Sequence, residues 1–170
     1  MMKILSILSV SLTVFCGLSS AQLLSQNKSL NPDLHLSKIV FHSSRCNGLC
    51  PKLDLEIDSN KNIFVSREFY KTKSTIDKKN SGNFKGFVSN DNYLKLIVAI
   101  DFPGIDTLQF PDVNCCDGII TTIIIYYNGK RKYLKSMTPP QSAARLIWVL
   151  SKIGYDGNLE KTSVTKNIEY

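Results

Sequence analysis

Ile119-Ile120-Thr121-Thr122-Ile123-Ile124-Ile125-Tyr126-Tyr127-Asn128-Gly129 is the stretch whose reading decides the fold. Nearly every residue from Ile119 to Tyr127 is β-branched or aromatic, the composition of a central strand buried on both faces. Asn128-Gly129 tolerates the two successive positive φ angles of a type I′ turn, so Arg131 to Met137 is expected to return antiparallel. This hairpin is expected to supply the centre of a sheet.

Upstream, Lys38-Ile39-Val40-Phe41-His42 is short, apolar and β-branched, as a first strand should be. Ser43 to Pro51 turns the chain. Leu53, Leu55 and Ile57 then alternate with Lys52, Asp54, Glu56 and Asp58, the period of a strand with one buried face. The turn cluster Ser59 to Asn62 leads into a return strand from Ile63 to Tyr70. Lys71 to Lys85 carries no apolar period and reads as a loop or a weak edge strand whose lysines discourage pairing. Ser89 is placed to cap a helix from about Asn90 to Ile100, with Tyr93, Leu96, Ile97 and Ile100 on one face. Asp101 to Gly118 is a long irregular connection.

Downstream, Thr138-Pro139-Pro140-Gln141 combines a capping-box pattern with proline at the first helical position. The helix that follows sets Ala143, Leu146, Ile147, Leu150 and Ile153 on one face, with Gly154 expected to close it. Together these elements predict an α+β domain: an antiparallel sheet of about five or six strands in hairpins, with two helices packed on one face.

The ends of the sequence read differently. Lys3, the apolar run Ile4 to Leu18 and the small residues Ser19-Ser20-Ala21 make residues 1–21 a secretory signal peptide cleaved near Ala21. Lipoprotein anchoring at Cys16 is a minor alternative, since Phe15 stands where a small residue is needed. Residues 22–35 read as a flexible leader, 36–157 as one domain, and 158–170 as a polar C-terminal tail without regular structure. No transmembrane segment is expected in the mature chain.

With Lys3 removed, 20 basic and 14 acidic residues remain, a net charge of +6. That balance favours a protein or anionic surface as partner, while no cluster is dense enough to point to nucleic acid. Four cysteines remain: Cys46, Cys50, Cys115 and Cys116. An even number in an oxidising compartment reads first as disulfides, and three pairings are open.

Cys46-Asn47-Gly48-Leu49-Cys50-Pro51, followed by an alternating strand, a hairpin, a helix, a second hairpin and a final helix, resembles a family of bacterial secreted domains of unknown function. Their signature is Cys-aromatic-Gly-x-Cys-Pro with an aromatic two residues on. Cys46, Gly48, Cys50 and Pro51 match it, whereas Asn47 replaces the aromatic and Leu53 the usual tyrosine. The resemblance spans roughly Leu36 to Gly157 and implies a secreted α+β domain with no activity attached. It also implies local Cys46–Cys50 pairing, with Cys115 and Cys116 left as reactive or cross-linking thiols. Crossed pairing between the two regions stays open, and would constrain a longer loop.

Other chemistries fit less well. Cys-x-x-x-Cys-Pro is similar to the motif of thioredoxin-fold copper chaperones, in which a helix N-terminus and a distant histidine complete the site. Here a strand pattern follows Pro51, and the only histidines, His35 and His42, lie upstream. Adjacent Cys115-Cys116 is poor spacing for zinc, so neither metal nor cofactor is expected. Asp101, Asp106, Asp112 and Asp117 match no calcium-loop spacing. Lys130-Arg131-Lys132 with Lys135, and Lys71 to Lys85, read as solvated basic faces.

No nucleophile elbow, His-Glu-x-x-His or phosphate loop is present, so no catalytic residue is assigned. The functional expectation is a non-catalytic, disulfide-stabilised binding or interaction module. The alternative is thiol–disulfide or metal chemistry at Cys46/Cys50 with Cys115/Cys116. The Lys, Asn and Ile bias further suggests a bacterial, A+T-rich source.

Overall fold

The computed structural model describes residues 34–101, 104–113 and 117–170. The expected signal peptide, Cys16 and most of the leader lie outside the described residues, as do Cys115 and Cys116. Within them runs an α+β fold. Its strands are β1 (Leu36–Ser43), β2 (Lys52–Asp58), β3 (Asn62–Glu68), β4 (Tyr70–Thr72), β5 (Thr75–Ile76), β6 (Gly82–Phe87), β7 (Thr121–Tyr127), β8 (Lys130–Ser136) and β9 (Leu159–Thr162). Helix α1 (Asn90–Asp101) separates β6 from β7, and α2 (Ala144–Asp156) separates β8 from β9. Seven strands form one antiparallel sheet in the order β8-β7-β1-β2-β3-β6-β9, and β4 with β5 forms a small separate hairpin.

Strand alternation sets the two faces. Ile39 and Phe41 of β1, Leu53, Leu55 and Ile57 of β2, Val65 of β3, and Ile123 and Ile125 of β7 form the main core with Leu96 and Ile100 of α1 and Leu146 and Leu150 of α2. Both helices therefore cover one face of the sheet. Ser89 caps α1, its Oγ accepting the Asn92 amide at 3.3 Å, and the Asn128-Gly129 turn has positive φ at both residues (48° and 73°).

The structure departs from the sequence reading at several points. The Ile119–Met137 hairpin is not the centre of the sheet: β2 is, and β7 stands next to the edge strand β8. Strand β7 is apolar on both faces for another reason. Its outward Ile124 is covered by Ile168, in a second cluster with Val40 and Phe64.

The C-terminal tail is thus not free. Leu159–Thr162 pairs with β6 as the far edge strand, and Ile168 is buried on the outer face. Tail polarity concealed this, because an edge strand needs only one apolar anchor and backbone pairing supplies the rest. The Lys71–Lys85 region likewise holds the β4–β5 hairpin and most of β6, which is an inner strand.

The Thr138 capping box does not form. Pro140 precedes a 3₁₀ turn at Gln141–Ala143 with no side-chain cap, while the Thr138 amide bonds to Ser136 Oγ at 3.0 Å. Each of the two prolines forces its predecessor out of the helical region, so the helix starts too late for Thr138 to reach it. Gly154 does not end α2 but lies within it. A Cβ there would stand 2.8 Å from both Leu53 Cδ atoms, so glycine lets the helix approach the central strand.

Candidate functional site

Two places on the domain concentrate chemistry, one at the disulfide loop and one on the outer face of the sheet.

Cys46 and Cys50 form a disulfide with Cα atoms 5.5 Å apart. The ring it closes contains Gly48 and leaves Leu49 exposed. The loop is fixed from two sides. The Asn47 amide and Nδ2 reach Asp117 O and Oδ2, at 3.4 and 3.1 Å. Arg45 donates to Lys73 O and stacks 4.3 Å from the Tyr70 ring centroid. Cys50 leads through Pro51 directly into β2, so the chain after the second cysteine continues as a strand and not as a helix. The flanks of the Cys115-Cys116 segment are anchored at Val113, whose carbonyl accepts the Met137 amide at 3.4 Å, and at Asp117. Among the described residues, no group of three His, Cys, Asp or Glu is arranged to hold a metal ion.

Pro51 also forms one wall of a groove of about 750 Å³. Ile119, Met137 and Pro140 line it together with Ile147 and Trp148 of α2. Trp148, the chain's single tryptophan, is 58% exposed. An exposed apolar side chain that is continuous with an apolar groove, rather than scattered singly, marks an interaction surface. Arg145 and Lys152 lie three residues before and four after Trp148, and so share its helix face. Both are exposed, and Lys152 Nζ lies 5.2 Å from the indole centroid. Tyr155, which also lines the groove, is half-buried and packed 5.4 Å from the Phe69 ring, and burial pushes its phenol up to about 12.

The second place was not legible as a site in the sequence. On the outer face, Thr122, His42 and Asp54 stand in register on β7, β1 and β2. His42 is buried, its Nδ1 2.8 Å from Asp54 Oδ1 and its Nε2 2.6 Å from the carbonyl of Glu169. Both ring nitrogens thus face acceptors. Burial pushes the Asp54 carboxyl up, but hydrogen bonds from His42, Lys52 and Tyr170 outweigh it and hold the group below its ordinary range. A small cavity of about 180 Å³, lined by His42, Ser44, Lys52, Asp54, Thr122 and Tyr170, lies alongside. Among the described residues no hydroxyl is bonded to the ring, so the row is not assembled as a nucleophile–base pair.

Asp106 and Asp117, which match no calcium-loop spacing, have internal partners. Asp106 Oδ1 accepts from the Tyr127 hydroxyl at 2.7 Å and Lys130 at 3.3 Å. The basic hairpin tip is partly engaged as well: Arg131 Nη2 donates to Glu169 Oε1 at 2.9 Å and Lys132 Nζ to Asp106 O at 2.9 Å.

Trp148 and the His42–Asp54 pair are the residues that sequence reasoning passed over. A lone tryptophan on the polar side of a helical wheel was the available signal for the first. For the second it was a histidine and an aspartate at outward strand positions, but only strand register brings them together. Compared with models of known protein families and with curated proteins, the chain matches none.

Proposed function

We propose that this is a secreted or periplasmic binding module, exported by its N-terminal signal peptide and acting without catalysis. Its ligand is an apolar segment of a partner protein flanked by acidic residues. The observation that carries this reading is Trp148, exposed at the mouth of an apolar groove between two cationic side chains on the same helix face. An aromatic anchor in an apolar depression with a charged rim is the usual anatomy of a binding hot spot. Arg145 and Lys152 select acid in the partner and repel base, in keeping with the basic net charge of the chain. The Cys46–Cys50 ring supports the wall that ends in Pro51 and suits an oxidising compartment.

Thiol–disulfide or metal chemistry at Cys46/Cys50 with Cys115/Cys116 has less behind it, because the strand following Pro51 supplies no helix dipole to stabilise a thiolate.

Peptide-display selection against the full chain, with counter-selection on Trp148→Ala, tests the binding reading. It predicts enrichment of apolar residues bracketed by Asp and Glu, dependent on Trp148. Enrichment with no acidic bias, or none that Trp148→Ala abolishes, would overturn it.

A further inference from the structure

The outer face of the sheet carries a second surface, already occupied. Three consecutive residues near the end of the sequence sit in three separate subsites. Ile168 is buried against Val40, Phe64 and Ile124. The Glu169 carboxylate accepts from the Tyr126 hydroxyl at 2.7 Å, Arg131 at 2.9 Å and Lys38 at 3.1 Å. The Tyr170 ring stacks on His42 with centroids 3.9 Å apart, and its hydroxyl donates to Asp54 at 2.9 Å. His42 also reads the main chain, through the Glu169 carbonyl.

The stretch leading to them is held differently. Residues 163–167 are exposed, tied by Asn83 Nδ2 to Val164 O at 3.0 Å and by Lys166 to Glu56 at 2.8 Å. Among the described residues no backbone–backbone hydrogen bond joins residues 164–170 to the sheet. This strap is therefore captured by side-chain pockets alone, and it can leave without unpairing a strand. Leaving uncovers an apolar patch, a cluster of two cations with a phenol, and an imidazole face, in that order.

We propose that this surface is a peptide-recognition site for an aliphatic–glutamate–tyrosine sequence supplied in trans by a partner protein, and that the strap is its tethered competitor. Each subsite specifies one position. The patch takes a branched aliphatic side chain, Lys38, Arg131 and Tyr126 take a carboxylate, and His42 with Asp54 takes a phenol whose hydroxyl can donate. A peptide lacking the carboxylate leaves two cations without their anion, which makes the middle position the strictest. The surface is separate from the Trp148 groove and stands or falls independently of it.

The test is fluorescence anisotropy with a labelled Thr-Lys-Asn-Ile-Glu-Tyr peptide. It is titrated with the full chain and with a strap variant carrying Ile168→Ala, Glu169→Gln and Tyr170→Ala. A tether places the strap at an effective concentration of order millimolar, so its removal should tighten apparent binding at least about tenfold. Replacing the peptide's glutamate by glutamine, or adding Arg131→Ala to the strap variant, should weaken binding about tenfold or more. A strap variant that melts cooperatively yet binds the peptide no better than a scrambled one would overturn the proposal. Should the strap variant fail to fold, side-chain NMR on the wild-type chain decides instead. Millimolar peptide must move the Ile168 methyl and Tyr170 ring resonances toward their random-coil positions, and unchanged resonances there would overturn the proposal.

Discussion

The phenol ring of Tyr170 lies on the imidazole of His42 with their planes within 16° of parallel. Asp54, on the neighbouring strand, bonds to both side chains through the same oxygen, Oδ1. The three groups join the end of the described chain to the middle of the sheet, and they turn a face that would otherwise be open into a covered one. The consequences for stability are direct.

Ile168→Ala should destabilise the domain by about 2 kcal/mol, the low end for a buried aliphatic truncation, because the cavity it leaves opens toward solvent. Urea unfolding monitored by far-UV circular dichroism should show a lower midpoint with an unchanged slope. No shift in midpoint would mean that the strap is not docked in solution.

Glu169 links the strap to acid. The Tyr126 hydrogen bond, followed by those from Lys38 and Arg131, holds its carboxyl down to about 2 from an ordinary value of 4.5. A depressed acid stabilises the fold above its unfolded value and loses that contribution as pH falls toward the folded one. The melting-temperature difference between wild type and Glu169→Gln should therefore be constant above about pH 5 and shrink steadily toward pH 2. Asp54 is also depressed, but it is common to both proteins and cancels in the difference.

Gly154→Ala tests helix–sheet contact. In an exposed helix the change would stabilise by about 1 kcal/mol. Here the new methyl meets the Leu53 Cδ atoms at 2.8 Å and Leu55 at 3.1 Å, and overpacking of that kind costs about 1–3 kcal/mol. Thermal unfolding should show a net loss of stability, partly recovered by adding Leu53→Val. A more stable single variant would contradict the packing described.

Replacing Cys46 and Cys50 together by serine opens a ring whose cysteines are four residues apart in sequence. The loop-entropy relation gives such a short ring about 2 kcal/mol. The doubly substituted protein should remain folded and unfold at lower urea. Complete loss of the fold would mean that the disulfide organises more than its own turn.

Much of the fold was open to reading in the sequence. Asn128-Gly129, the alternation Leu53-Leu55-Ile57, the Ser89 cap and the stripes of both helices act locally, through turn sterics and side-chain periodicity, and each is found in the structure. What failed was the placement of strands and the reading of the tail. Ile123 to Ile125 correctly signalled burial on both faces. The cover on the second face, however, is a single isoleucine in a polar segment, and one residue makes no period. Pairing of His42 with Asp54 depends on the register between β1 and β2. Their contact to Tyr170 depends on a chain reversal that no local rule encodes. Trp148 went unread in the sequence, and its groove is built from Pro51, Ile119 and Met137, which come together only in the tertiary fold.

The most direct test of the central claim is the emission of Trp148, the chain's one tryptophan, titrated with a short peptide carrying a central leucine between Asp and Glu residues. Binding in the groove predicts a saturable blue shift that weakens with added salt and disappears in the Arg145→Glu, Lys152→Glu double variant. An emission maximum that stays fixed up to millimolar peptide, or shifts equally in the double variant, would contradict it.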